Sequence, residues 1–203
     1  GLIVLLLCLI SGTAYMIVRS RRELMRLAHF DTLTSLPNRR LFFDRLGQGL
    51  VRAQRSRSPL ALFFVDVAGF NAINDTHGHQ GGDELLVGIA RRLQTVLRGS
   101  DSVDNIGPTS IFGPTAVSRL GGDEFTLICE DIRQPENIAP LAERLIAAMR
   151  APFEIGQSTV EVRINLGIAV YPNDASDCDK LLACADVAMH ECQFLLASMP
   201  LLH

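Results

Sequence analysis

The sequence predicts an α/β sandwich, a central sheet covered by helices, and three observations carry that prediction. Apolar runs of strand length alternate with helical periodicity from about residue 31 to 195. Leu60 to Val65 is almost continuously apolar, as suits a strand buried on both faces. Around residues 121–125 the segment SRLGGDEFTLIC is an apolar run, a glycine turn carrying two acids, and a second apolar run, which reads as a β-hairpin.

Taken in chain order, residues 1–18 carry no charge. At 1.5 Å per residue they make about 27 Å of helix against a hydrocarbon core of about 30 Å, so they read as a transmembrane helix, clipped at its start. Arg19, Arg21 and Arg22 follow, and positive flanks favour the cytoplasmic side. A cleaved signal peptide is the competing reading, opposed by the long apolar region and the lack of an obvious small-residue cleavage site. The first residue is Gly, so the expectation is a fragment with sequence missing upstream. Residues 19–30 then form a juxtamembrane linker helix. The main domain, 31–195, is expected to hold a helix over Asn38–Arg57, a strand at 60–66, a helix at 83–98, the hairpin at 117–130, a helix at 137–150, a strand at 159–170 and a helix at 177–195. Residues 102–115 contain Gly and Pro and read as an inserted loop. Residues 196–203 form a divergent or truncated tail.

With 203 residues, 48% hydrophobic and 20% charged, the chain can bury one sizeable core. A net charge of −3 and the lack of a basic stripe interleaved with aromatics give no case for a nucleic-acid partner. Cys8, Cys129, Cys178, Cys184 and Cys192 show no CxxC spacing and read as small apolar residues rather than a zinc site or disulfide framework. His77 and His79 lie on a glycine-containing stretch without a third ligand nearby and read as polar loop residues.

The chemistry-bearing residues fall in two segments. Gly121 and Gly122 allow positive φ and a close backbone approach, and Asp123 and Glu124 follow at once. Carboxylates on a rigid turn suit Mg²⁺, which takes oxygen ligands and shares them with substrate phosphates. A hairpin with solvated acids is the alternative reading of those five residues alone. The second segment is LALFFVDVAGFNAINDTHGHQGGDELL, where Asp66 ends the apolar run. A carboxylate there is costly unless paired or bound to metal. Asn74, Asp75, Gly78, His79 and Asp83 come next and are able to bond a base or a neighbouring loop.

Together with the entry segment DTLTSLPNRR and the closing LGIAVYPNDASDCDKLLACADVAMH, these segments resemble the GGDEF family of diguanylate cyclases, with landmarks from about Asp31 to Met189. The resemblance implies a nucleotidyl-cyclase-like fold, a mostly antiparallel five-stranded sheet wrapped by helices. It implies condensation of two GTP into cyclic di-GMP and pyrophosphate, with Mg²⁺ (or Mn²⁺) held by Asp66, Asp123 and the Val67 carbonyl. Asp123 or Glu124 would help deprotonate the attacking hydroxyl. Asn74 and Asp83 would bond guanine with His79 beside them, and Gly121 and Gly122 would admit the phosphates. Each chain would hold one GTP, so catalysis would need a homodimer at the bacterial inner membrane, its catalytic domain cytoplasmic. Arg98 and Asp101, as RGSD, match the family's RxxD product-inhibition motif; a helix-terminal Arg and Asp with no ligand is the competing reading.

The chain also departs from the family pattern. Ala68 and Asn71 stand where Asp and Lys are usual. His190, Gln193, Leu196, Ala197 and Ser198 stand for the family's Tyr, Lys and Gly-Arg-Asn, which removes phosphate-binding charge and leaves Arg119 or metal to meet it. A second function therefore stays open: a degenerate module that binds GTP or cyclic di-GMP and regulates an adjacent EAL-type phosphodiesterase domain.

Overall fold

The computed structural model describes residues 1, 12, 14–16, 19–20, 23–100, 115–132 and 135–198. Among these residues the core is a four-stranded antiparallel sheet in the order Thr115–Gly121, Glu124–Cys129, Leu60–Ala68 and Arg163–Tyr171. The strands are β1 Leu60–Ala68, β2 Thr115–Gly121, β3 Glu124–Cys129 and β6 Arg163–Tyr171, with β4 Phe153–Ile155 and β5 Ser158–Val160 forming a separate ribbon. The helices are α1 Arg39–Ser56, α2 Phe70–Ser100, α3 Ile138–Arg150 and α4 Cys178–Ser198.

The central strand β1 is buried on both faces, and period-2 alternation divides its side chains between two cores. Ala61, Phe63, Val65 and Val67 join Leu85, Ile89 and Leu93 of α2 and Leu141, Leu145 and Met149 of α3. Leu60, Leu62 and Phe64 join Phe42, Leu46 and Leu50 of α1 and Leu181, Ala185 and Met189 of α4. The predicted sandwich is therefore present, with helices on both faces of one sheet.

Helix α1 begins where Asn38, its N-cap, accepts a bond from the Leu41 amide at 3.1 Å, and ends at Arg57 in the left-handed region (φ 54°). Arg52 ties it to the end of β3 through two 2.7 Å bonds to Glu130. Helix α4 lies directly on β6, where a methyl at Gly167 would overlap the Ala185 carbonyl and the Met189 amide. Arg92 of α2 stacks 3.5 Å over Phe153 and donates to the Pro152 carbonyl at 2.9 Å, fastening the ribbon to the helix layer.

Four expectations are corrected. Among the described residues the main sheet has four strands, where five were expected. The single strand expected at 159–170 is divided: Ser158–Val160 folds back on Phe153–Ile155 through a turn at Gly156 (φ 58°), and only from Arg163 does the chain join the sheet. The helix expected to start at 83 starts at Phe70, so the polar stretch read as a loop is helical on both sides of a break at Gly78 (φ 74°, ψ 169°). Thr115, assigned to the inserted loop, already belongs to β2.

The remainder of that loop, 102–114, lies outside the described residues, as does the tail from 199; 196–198 are the last turn of α4. Residues 23–29 are helical, as expected of the linker. The expected span at 1–18 lies largely outside the described residues, and among those described no helix is long and apolar enough to cross a membrane. Cys129 is buried and its thiol is pushed up to about 12 by burial, while Cys178 and Cys184 are half-buried and free. All three fit the reading as packing residues.

Candidate active site

The hairpin forms as predicted. β2 and β3 pair antiparallel around a tip at Gly122 and Asp123, with a register shift between Arg119 and Gly121. Gly121 (φ 150°) and Gly122 (φ 51°) hold conformations that a side chain would strain, and both are exposed. The backbone at the tip is therefore open to a bulky ligand.

The acids meet through strand register. Asp66 pairs with Glu124 of β3 on one side and with Asn165 of β6 on the other. Directly opposite residues share a face, so Glu124, Asp66 and Asn165 form one row across three strands on the face covered by α1 and α4. Asp123 adjoins this row from the turn. β1 continues past Asp66 to Ala68, so the carboxylate lies inside the strand rather than at its end. Val67 is buried and pairs with Ile164.

The two acids of the turn influence each other and their neighbours electrostatically. Burial, with the negative charge of Asp66 adding to it, holds the Asp123 carboxyl above its ordinary range, against a backbone hydrogen bond at Asp123 itself and a smaller effect of Arg119. Burial likewise raises Glu124, with Asp186 of α4, Asp123 and Asp66 adding, while Arg39 of α1 acts in the opposite direction. Four carboxylates and two guanidiniums thus surround one end of the sheet. The arrangement concentrates negative charge in partly dehydrated surroundings, as a cation site requires.

Asn74, His79 and Asp83 lie on α2, on either side of its break at Gly78. Asn74 is half-buried with its Oδ1 against Gly82, where any side chain would collide with it. His79 and Asp83 are exposed. Arg98 belongs to the last turns of α2, and Asp101 of the RGSD pair lies outside the described residues. The backbone of α4 is helical through Gln193 and Ala197.

Two groups important to the site escaped sequence reasoning. Arg119, considered above only as a phosphate ligand, is committed to the turn: Nε and Nη2 donate to the Gly122 carbonyl at 3.0 and 2.7 Å, and Nη1 donates to Asp31 at 2.9 Å. Asp31 also accepts from the Thr34 amide and hydroxyl at 2.8 and 2.6 Å, and the Arg119 amide donates to Pro37 at 2.9 Å. The entry turn 31–38 is thereby fastened to the hairpin. Asn165, the second, donates from Nδ2 to Asp66 Oδ2 at 3.0 Å. Both roles depend on which strands become neighbours, a fact no local pattern carries.

The family model described as the GGDEF domain of diguanylate cyclases matches residues 28–193. The chain belongs to the GGDEF family. Over 180 residues it is 39% identical to the bifunctional diguanylate cyclase/cyclic di-GMP phosphodiesterase MucR of Pseudomonas aeruginosa, covering 89% of this chain and 24% of that protein. It is 40% identical over 164 residues to the diguanylate cyclase TpbB of the same species, covering 80% of this chain and 34% of that one. The solved GGDEF domain of TpbB superposes with a TM-score of 0.73 at 38% identity, over 82% of this chain and 90% of that domain. The chain thus spans about a quarter to a third of the length of these two relatives. In GGDEF terms, the signature residues are the hairpin tip, and Asp66 faces them from the neighbouring strand.

Proposed function

We propose that this GGDEF domain is the catalytic part of a diguanylate cyclase, which condenses two GTP into cyclic di-GMP and two pyrophosphates. The observation that carries the reading is the meeting of Asp66 with Asp123 and Glu124 at an open glycine tip. The donor set fits Mg²⁺ or Mn²⁺: hard oxygens only, two carboxylates and a backbone carbonyl. Among the described residues no three His, Cys, Asp or Glu side chains converge on one point. Asp66, Asp123 and the Val67 carbonyl would hold the cation. When bound, the cation would neutralise charge on the phosphates.

In each half-reaction the 3′-hydroxyl of one GTP forms a bond to the α-phosphorus of the other, and the bond to the β-phosphate oxygen breaks. The hydroxyl proton passes to Asp123 or Glu124. Gly121 and Gly122 leave room for the phosphates at the tip. Asn74 and Asp83, with His79 beside them, would bond the guanine. One domain offers one such site, so the reaction requires two chains facing each other about a two-fold axis.

Residues 1–18 support anchoring in the bacterial inner membrane with this domain on the cytoplasmic side. Arg98 and Asp101 are proposed to bind product. The bifunctional relative MucR supports a phosphodiesterase-type partner domain in the full-length protein.

The test is direct. The full chain incubated with GTP and Mg²⁺ is expected to yield cyclic di-GMP and pyrophosphate on chromatography. Bound but intact GTP would reject the cyclase reading and leave the regulatory one.

The guanine assignment has its own signature. Asn74→Ala or Asp83→Ala is expected to weaken GTP binding about tenfold and to relax discrimination against ATP, because a site built to bond a base edge loses selectivity with its polar partners. Calorimetric titration with both nucleotides checks it, and an equal loss for both would mean structural damage instead.

A further inference from the structure

We infer that Asn165 is a positioning residue for the Asp66 carboxylate, holding it oriented toward a divalent cation; this rests on the assignment of Asp66 as a metal ligand. Asn165 is 7% exposed, one of few buried polar residues among those described, and sits directly opposite Asp66 across the β1–β6 ladder. Its Nδ2 donates to Asp66 Oδ2 at 3.0 Å. Further along β6 the same face carries Gly167 and Ala169, small residues packed under α4. A buried amide is costly unless it is hydrogen-bonded, and an apolar residue would serve packing alone at less cost. The bond to Asp66 supplies what an apolar residue would lack.

The kind of donor matters. A hydrogen bond from a fixed donor sets the plane of the carboxylate. An amide does this without charge, whereas Lys or Arg at 165 would neutralise Asp66 and repel the cation. A carboxylate oxygen has two acceptor positions, so one bond to an amide leaves Oδ2 able to interact further. On the other side of Asp66 stands Glu124, an acid. The row thus runs from a neutral donor through Asp66 to a second carboxylate, which places the negative charge on the side of the glycine turn.

The experiment titrates Mn²⁺ alone into the full chain and follows the paramagnetic resonance signal of the free ion, with circular dichroism confirming the fold. Asn165→Leu keeps the branched outline of the side chain, at a larger volume, and removes the donor; it is expected to weaken Mn²⁺ binding roughly tenfold or more. Asn165→Ser retains a donor where Asn165→Ala does not, and is expected to bind Mn²⁺ more tightly than the Ala variant. A folded Leu variant with wild-type affinity would overturn the inference. If the Leu variant does not fold, equal affinities of the Ser and Ala variants would overturn it instead. Wild-type protein that binds no Mn²⁺ would reject the metal assignment and this inference together, whereas wild-type binding with indifferent Asn165 variants would reject this inference alone.

Discussion

Asp123→Asn is expected to lower cyclic di-GMP formation by roughly a thousandfold or more while leaving the thermal midpoint close to that of the wild type. The substitution keeps the side-chain volume and removes the charge. In the free protein that charge is held under strain: burial and the neighbouring Asp66 both oppose ionisation of Asp123. Neutralising it therefore relieves repulsion in the apo fold and does not damage it. The loss falls on the loaded enzyme, where an amide replaces an anionic oxygen ligand and cannot accept a proton from the attacking hydroxyl. Asp66→Asn is expected to behave alike in turnover. Rates by chromatography and melting by circular dichroism separate the two effects. A folded Asp123→Asn variant with an unchanged rate would show that the reaction does not pass through these carboxylates.

Much of this site could be read from the chain because its signals are local. The apolar run before Asp66 is long enough to demand a buried strand, and the glycine pair before Asp123 demands a turn; each positions its acid without reference to the rest of the fold. Helix α2 was hidden from 70 to 82 for the converse reason. That stretch is polar and glycine-rich, so it shows no apolar stripe, and its helicity survives by a break at Gly78 that takes a left-handed φ. The β4–β5 ribbon contains strands of three residues, too short for alternation to register. Asn165 stands in an apolar strand and Arg119 in a hairpin flank, and neither type nor spacing says what each touches. Asn165 acquires its role only because β6 pairs with β1, and Arg119 only because the entry turn, 88 positions earlier at Asp31, folds against β2. Contacts between distant segments follow from topology, and topology is a property of the whole sheet.

Arg119→Ala is expected to destabilise the domain by about 3 kcal/mol and to lower turnover about a hundredfold. The guanidinium is only 10% exposed and Asp31 22%, so solvent screens the pair weakly. Truncation leaves the Asp31 carboxylate without its ion partner and the Gly122 carbonyl without two donors. The turn that carries Asp123 then loses its tie to the entry segment, and an ångström of drift at the tip is enough to misplace a catalytic carboxylate. Arg119→Lys keeps the charge but not the fork, and is expected to recover stability more fully than rate. Acid provides an independent check. Burial works against ionisation of Asp31, but the bonds from Thr34 and Arg119 outweigh it and hold the carboxyl below its ordinary range. Its stabilising contribution is therefore present above the unfolded-state value of about 3.9 and disappears as pH falls through the lower folded-state value. The stability difference between wild type and Asp31→Asn, measured by urea unfolding, should accordingly be constant near neutrality and shrink below about pH 4. A difference that persisted undiminished into strong acid would mean that it does not come from the charge of Asp31.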